Sequence, residues 1–75
     1  MIDYIFDPEE DLSLCYNVLT DSHPAFLKVE VEQWMNNNLP DATYNGIITL
    51  SPGNEGLSFS FMSEEDIVAF KLTWS

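Results

Sequence analysis

Two groups of carboxylates stand out, because each holds three acidic residues in a row between an aromatic and an aliphatic residue. The first lies in Phe6-Asp-Pro-Glu-Glu-Asp-Leu12 and the second in Phe61-Met-Ser-Glu-Glu-Asp-Ile67. Carboxylates this close together can bind a hard cation, exchange protons with a substrate, or contact the lysines and arginines of another protein. They can also stabilise the N-terminus of a helix, where the backbone presents partial positive charge.

The surrounding sequence disfavours a metal site or an active site at these carboxylates. A calcium loop needs alternating oxygen ligands and a central glycine, and Asp7-Pro-Glu-Glu-Asp-Leu12 has neither. Zinc ligands come in pairs, whereas this chain has one cysteine, Cys15, and one histidine, His23, which lies in a polar turn. The glycine-rich stretch Pro52-Gly-Asn-Glu-Gly56 leads into a strand, unlike a phosphate-binding loop. We therefore predict no catalytic residue, no metal and no cofactor.

The charge balance narrows the class of partner. Thirteen residues are acidic and two, Lys28 and Lys71, are basic, so the net charge is −11. Binding to nucleic acid or to an anionic membrane uses lysine and arginine, and direct contact with either is disfavoured. A basic protein is the partner that this charge attracts. A single cysteine, with no signal-like start and no apolar stretch of about 20 residues, favours the cytoplasm, and we predict Cys15 to be buried.

The first third of the chain predicts a strand followed by a helix. Residues 1–6 form a short apolar run typical of a strand. Asp7 resembles an N-cap, with Pro8 at the first helical position, and predicts a helix from about Pro8 to Thr20. Its apolar stripe at helical spacing consists of Leu12, Cys15, Tyr16 and Leu19. The stretch Asp21-Ser22-His23-Pro24 then ends the helix.

The remaining elements include one ambiguous segment and two clear ones. Residues 25–38 alternate like a strand at first, yet they also carry a helical stripe, and we predict a helix. Residues 43–50 and 57–62 flank a dense turn signal and predict a β-hairpin, with its Phe side chains on the core and its Ser side chains toward water. Ser63 is a good N-cap for a last helix that runs close to Trp74.

These elements predict a single α+β domain over residues 1–75. We expect a small three-stranded, mostly antiparallel sheet with helices on one face, in the order β-α-α-β-β-α. If residues 25–33 form a strand, the order becomes β-α-β-β-β-α, which is closer to a ferredoxin-like sheet.

Both acidic triplets are then explained by the same structural role, because each follows an aromatic-rich strand and begins a helix. A role in partner binding would also require the two triplets to lie on the same surface. If the first and last strands were parallel and adjacent, the six carboxylates would form one negative surface that could imitate phosphates or contact a basic protein. Trp74 would add an aromatic anchor if it were exposed. The predicted partner-binding residues are Glu9, Glu10, Asp11, Glu64, Glu65, Asp66 and Trp74.

The last 16 residues of this pattern, Phe59-Ser-Phe-Met-Ser-Glu-Glu-Asp-Ile-Val-Ala-Phe-Lys-Leu-Thr-Trp74, resemble the tails of small uncharacterised acidic proteins of tailed bacteriophages. In those proteins a short strand precedes an acidic turn and a helix ending in Phe-Lys-Leu-x-Trp. The resemblance implies no activity and no binding residues. It implies a compact acidic protein of the host cytoplasm, of a kind that often inhibits a host protein and sometimes imitates DNA.

Taken together, the sequence predicts a small non-catalytic protein that binds a basic protein partner, such as a nucleic-acid-binding protein, and modulates or inhibits it. The alternative is a structural or assembly subunit that forms a homodimer or larger homo-oligomer through the edge of the hairpin or through Trp74.

Overall fold

The computed structural model describes residues 1–20 and 26–75. The described part contains three strands and three helices in the predicted order, so the predicted α+β class is confirmed. The elements are β1 (Ile2–Phe6), α1 (Leu12–Val18), α2 (Val29–Asn38), β2 (Thr43–Ser51), β3 (Asn54–Phe61) and α3 (Glu64–Trp74). The predicted break at Asp21-Ser22-His23-Pro24 lies outside the described residues.

The three strands form one antiparallel sheet in the order β1-β3-β2. The hairpin predicted from the turn signal joins β2 to β3, and β1 pairs with the other side of β3. Ile2 lies opposite Phe61 and Phe6 lies opposite Leu57, so β1 and β3 run in opposite directions. This arrangement makes β3 the central strand and leaves β1 and β2 as edges.

Four phenylalanines form the centre of the core between the sheet and the helices. Phe6, Phe59 and Phe61 of the strands and Phe70 of α3 are fully buried. Phe59 contacts the other three rings at centroid distances of 5.0–5.6 Å. Since aromatic side chains bury large apolar areas, this cluster supplies much of the stabilisation available to so short a chain. The prediction that the Phe side chains of β3 face the core is confirmed.

The segment that was ambiguous in the sequence is a helix. Val31 and Met35 of α2 are buried one turn apart, with Leu27 buried just before the helix. Glu30 and Glu32 in the first turn are favourable beside the helix N-terminus. The ferredoxin-like alternative, which needed a strand over residues 25–33, is therefore wrong, because apolar side chains at i and i+4 outweigh the local alternation.

The first helix begins later than predicted and buries a different face. Asp7 does not cap it; its carboxylate accepts the Glu9 N–H at 2.9 Å and holds a separate turn. Asp11 has φ −122° and ψ 47°, which interrupts helical geometry, so α1 starts at Leu12. Leu12 and Tyr16 of the predicted stripe are exposed. The buried residues are Leu14, Cys15 and Val18, and only Cys15 belongs to both sets.

The last helix begins as predicted. The hydroxyl of Ser63 accepts the Asp66 backbone N–H at 3.4 Å, which satisfies one of the unpaired donors at the helix start. Ile67 and Phe70 are buried against the core and the helix continues to Trp74.

The sheet face opposite the helices carries a small apolar cluster that we call the open-face cluster: Ile5, Ile48 and Leu50. Each is 38–39% exposed. Their side chains surround Gly56 on the central strand, where a Cβ atom would lie 2.8 Å from Ile5 Cγ2 and 3.0 Å from Leu50 Cδ1. Gly56 is thus required by close packing on this face.

Candidate functional site: two acidic triplets

The first triplet lies in the turn between β1 and α1, before the helix begins. The backbone N–H groups of Glu10 and Asp11 donate to the Asp7 carbonyl oxygen at 3.0 and 2.8 Å. The Asp7 carboxylate also accepts the Asn54 side-chain amide at 3.2 Å, which ties this turn to the start of β3. The first turn of α1 contains no acidic residue, so helix stabilisation does not account for this triplet.

The second triplet forms the first turn of α3, as predicted. Glu64 and Glu65 are exposed and Asp66 is half-buried. Their carboxylates lie beside the positive end of the helix dipole, an arrangement worth about 0.3–1 kcal/mol for each exposed group. The same three-letter motif therefore has two local structures, an isolated turn and a helix start.

The two triplets lie at opposite ends of the sheet. The first follows Phe6, which pairs with Leu57, and the second follows Phe61, which pairs with Ile2. The ends of β1 are about 14 Å apart along the strand, from the usual rise per residue. The condition for a shared negative surface was that the two strands run in parallel. They are antiparallel, so the six carboxylates do not form a single surface.

A lysine lies close to the first triplet. The ammonium of Lys71, in the last turn of α3, lies 4.8 Å from the centre of the Tyr4 ring. Its pKa is raised by the Tyr4 hydroxyl and further by the negative charges of Asp11 and Glu10. One of the two basic residues of the chain therefore offsets part of the negative charge of the first triplet.

The two tryptophans pack at the margin of the core, where Trp34 contacts both Trp74 and Phe70. Trp34 and Trp74 are both half-buried, and their rings meet edge to face at 6.1 Å. The indole N–H of Trp74 is buried and has no hydrogen-bond partner in the described part of the chain. Exposure was the condition for Trp74 to act as an anchor, and only part of its surface is accessible.

The thiol of Cys15 is buried as predicted, and we expect it to be unreactive. Burial, with smaller contributions from the charges of Asp11 and Asp7, raises its pKa to about 11. The starting value is 9.0, so at pH 8 the thiolate fraction falls by about 100-fold on folding. We expect a disulfide reagent at pH 8 to label the folded chain at least about 100-fold more slowly than the urea-unfolded chain.

The matched control for this labelling moves the thiol to an exposed site on the same helix. The double variant Cys15→Ser/Leu12→Cys places it at a position that is 57% exposed. This variant should react at nearly the unfolded rate. Equal labelling rates for the folded and unfolded native sequence would show that Cys15 is accessible.

Two further features of the described residues concern metal binding and membrane insertion. Across residues 1–20 and 26–75, no three His, Cys, Asp or Glu side chains come together in a way that could hold a metal ion. Within the same ranges, every helix falls short of the length and apolar character needed to cross a bilayer.

A cavity that was not predicted from the sequence lies at the β2 edge of the sheet, on the face covered by the helices. It lies between α2 and the start of β2 and has a volume of about 290 Å³. Glu32 and Tyr44 are among the residues that line it. The sequence carried no direct signal for it, because the space depends on how α2 packs against β2.

Comparisons with known proteins give no match: no family model, curated protein or solved structure is similar to this chain. The resemblance of the last 16 residues to phage proteins stays a prediction.

Proposed function

We propose that this chain is a non-catalytic protein that binds a basic protein partner and competes with nucleic acid for the partner's surface. The observation that carries the proposal is the placement of charge. Twelve of the thirteen acidic residues, all but Asp21, fall in the described part of the chain, and none of them is buried. Nine of these carboxylates are exposed and three are half-buried, and against two lysines they create a negative potential that attracts basic surfaces.

The local charge density supports an imitation of nucleic acid. In α3 the three consecutive acids Glu64–Asp66 occupy about 4.5 Å of helix axis, from the rise of 1.5 Å per residue. Double-stranded DNA carries one charge per about 1.7 Å of its axis, which is similar over this short distance. A protein site that binds DNA phosphates could therefore bind these carboxylates.

The antiparallel strands change how such a partner would bind. Two acidic ends, rather than one acidic surface, would contact basic groups spaced along a groove or an extended patch. The two ends are separated along the sheet by the length of β1, roughly 14 Å. The proposed contact therefore uses Glu9, Glu10 and Asp11 at one end and Glu64, Glu65 and Asp66 at the other, with Trp74 contributing only its accessible part.

A capture experiment with triplet variants tests this proposal. The chain is immobilised, a bacterial lysate is passed over it at low salt, and retained proteins are eluted with salt or with a double-stranded oligonucleotide. Replacing one triplet by its amides, as in Glu64→Gln/Glu65→Gln/Asp66→Asn, should weaken retention roughly tenfold, because three exposed charge contacts of about 0.5 kcal/mol each are lost. Replacing both triplets should weaken it further.

The control removes the same charge at scattered positions, with Glu30→Gln, Asp41→Asn and Glu55→Gln. This variant should retain the partner more strongly than either triplet variant does. The proposal fails if retention is insensitive to salt and to the oligonucleotide, or if the six-residue variant binds as well as the native chain.

A homo-oligomeric assembly subunit is the second candidate, and the open-face cluster favours it. Ile5, Ile48 and Leu50 present aliphatic surface to solvent on a sheet face without a helix in the described part of the chain. Light scattering decides between the candidates, because an assembly subunit would have a mass of at least twice 8.6 kDa at micromolar concentration.

A further inference from the structure

The cavity between α2 and β2 has the shape of a small binding site. Its volume of about 290 Å³ is close to the lower limit for small-ligand sites, and the pocket is open to solvent. Leu27 and Met35 are buried and supply apolar wall, and Ala42 and Tyr44 complete the opposite side. Glu32 is exposed and places a carboxylate on the α2 side. Asn36 and Thr43 also line it, so the site has a mixed polar and apolar lining with one negative group.

An equivalent position on the other edge of the sheet already holds a cation. Tyr4, Phe59 and Tyr44 lie in register across the three strands, with Phe59 in the middle. On the β1 side, the Lys71 ammonium lies over the Tyr4 ring. On the β2 side, Tyr44 borders the cavity. An aromatic ring attracts a cation through its negative face, and a nearby carboxylate adds to that attraction.

The part of Tyr44 that a ligand can contact is the ring. Its hydroxyl oxygen is buried and has no hydrogen-bond partner within the described residues. Burial also raises the pKa of this hydroxyl, so the side chain is neutral near pH 7. A neutral ring beside an exposed carboxylate suits a ligand with an apolar stem and a positive end better than an anion.

We propose that this cavity binds the side chain of a lysine from the basic partner. The alkyl stem would pack along Met35 and the Tyr44 ring, and the ammonium would lie near the Glu32 carboxylate. This inference rests on the proposed function, because the lysine would come from the basic partner. The pocket adds a specific site to a contact that exposed charges otherwise make. It gives the partner one anchoring residue, of the kind that dominates many interfaces.

Titration with a lysine analogue tests the cavity directly. N-acetyl-lysine methylamide is added to the ¹⁵N-labelled chain, and N-acetyl-norleucine methylamide is the uncharged control of similar length. We expect saturable chemical-shift changes centred on Met35 and Tyr44, with a dissociation constant in the millimolar range. The norleucine analogue should bind at least fivefold more weakly. Equal binding of both analogues, no saturable change, or changes confined to the two triplets would overturn the proposal.

Paired variants locate the binding. Glu32→Gln should weaken the lysine analogue about two- to fivefold, whereas Glu30→Gln, about 200° around the same helix, should leave it unchanged. Asn36→Tyr adds bulk at a lining position and should abolish the shifts, whereas Asn37→Tyr, at an adjacent exposed position that does not line the cavity, should not. If the members of either pair behave alike, the cavity is not the site.

These outcomes are independent of the capture experiment. If the lysine analogue binds the cavity but lysate proteins are retained without sensitivity to salt, the proposed function fails and the cavity remains a lysine site. If retention depends on salt and on the triplets while the analogue leaves the cavity resonances unchanged, the partner is held by surface charge and the cavity inference fails.

Discussion

Phe59→Ala should remove a large part of the stability of this protein. Phe59 is fully buried and its ring contacts those of Phe6, Phe61, Phe70 and Tyr44 at 5.0–5.6 Å. Truncating a buried phenylalanine costs about 3–5 kcal/mol, since the lost burial is followed by a cavity that neighbours fill only partly. A chain of this length has a total stability of roughly 4–11 kcal/mol. Urea denaturation followed by circular dichroism measures the loss.

The control for this substitution is an aromatic residue outside the core. Tyr16 is 70% exposed on α1, and Tyr16→Ala should change the free energy of unfolding by no more than about 0.5 kcal/mol. Phe59→Leu keeps most of the volume and should cost less than Phe59→Ala, which keeps the experiment informative if the alanine variant does not fold. Similar losses for Tyr16→Ala and Phe59→Ala would contradict the arrangement of the core.

Gly56→Val should destabilise the protein by about 3 kcal/mol. The first atom of any new side chain would lie 2.8 Å from Ile5, 3.0 Å from Leu50 and 3.1 Å from the Phe6 carbonyl oxygen. The two aliphatic side chains can move, but the Phe6 carbonyl belongs to the backbone of the paired strand. Overpacking of this kind usually costs about 1–3 kcal/mol, and valine adds two further methyl groups.

Ser58→Val introduces the same side chain on the same face of β3, two residues away. Ser58 is half-buried and pairs with Ile5 and Gly46, so its position is not closed by two side chains as Gly56 is. Valine favours strands, and the free energy of unfolding should change by no more than about 0.5 kcal/mol. A loss at Gly56 no greater than that at Ser58 would show that the open-face cluster is not packed against the central strand.

The elements governed by neighbouring residues were predictable from the sequence. The hairpin followed from a turn signal between two β-rich runs, and the α3 cap followed from Ser63 three residues before Asp66. The start of α1 was not predictable, because Asp7 forms side-chain hydrogen bonds to Glu9 and to the distant Asn54. An aspartate followed by proline and glutamates is compatible both with a helix cap and with an isolated turn. The contact between Asp7 and Asn54 of β3 favours the turn here.

The positions of the two triplets could not be deduced for a different reason. Their separation depends on the direction in which β1 pairs with β3, and the side chains of β1 alternate identically in a parallel or an antiparallel pair. The cavity was missed because it lies between α2 and β2. The sequence of either element does not show how closely the two will pack. Both features depend on how elements pack, which the pattern within each element does not encode.

The central position of β3 has a consequence for synthesis on the ribosome. Ile2 pairs with Phe61, so β1 emerges first but has no strand partner until Asn54–Phe61 have left the exit tunnel. At about 5–20 residues per second, this delay is several seconds. The β2–β3 hairpin closes a short loop in microseconds once it emerges, and β1 then docks onto it. The nascent β1 is therefore an unpaired edge until β3 emerges, and the carboxylates that follow β1 help to keep it from associating with other chains.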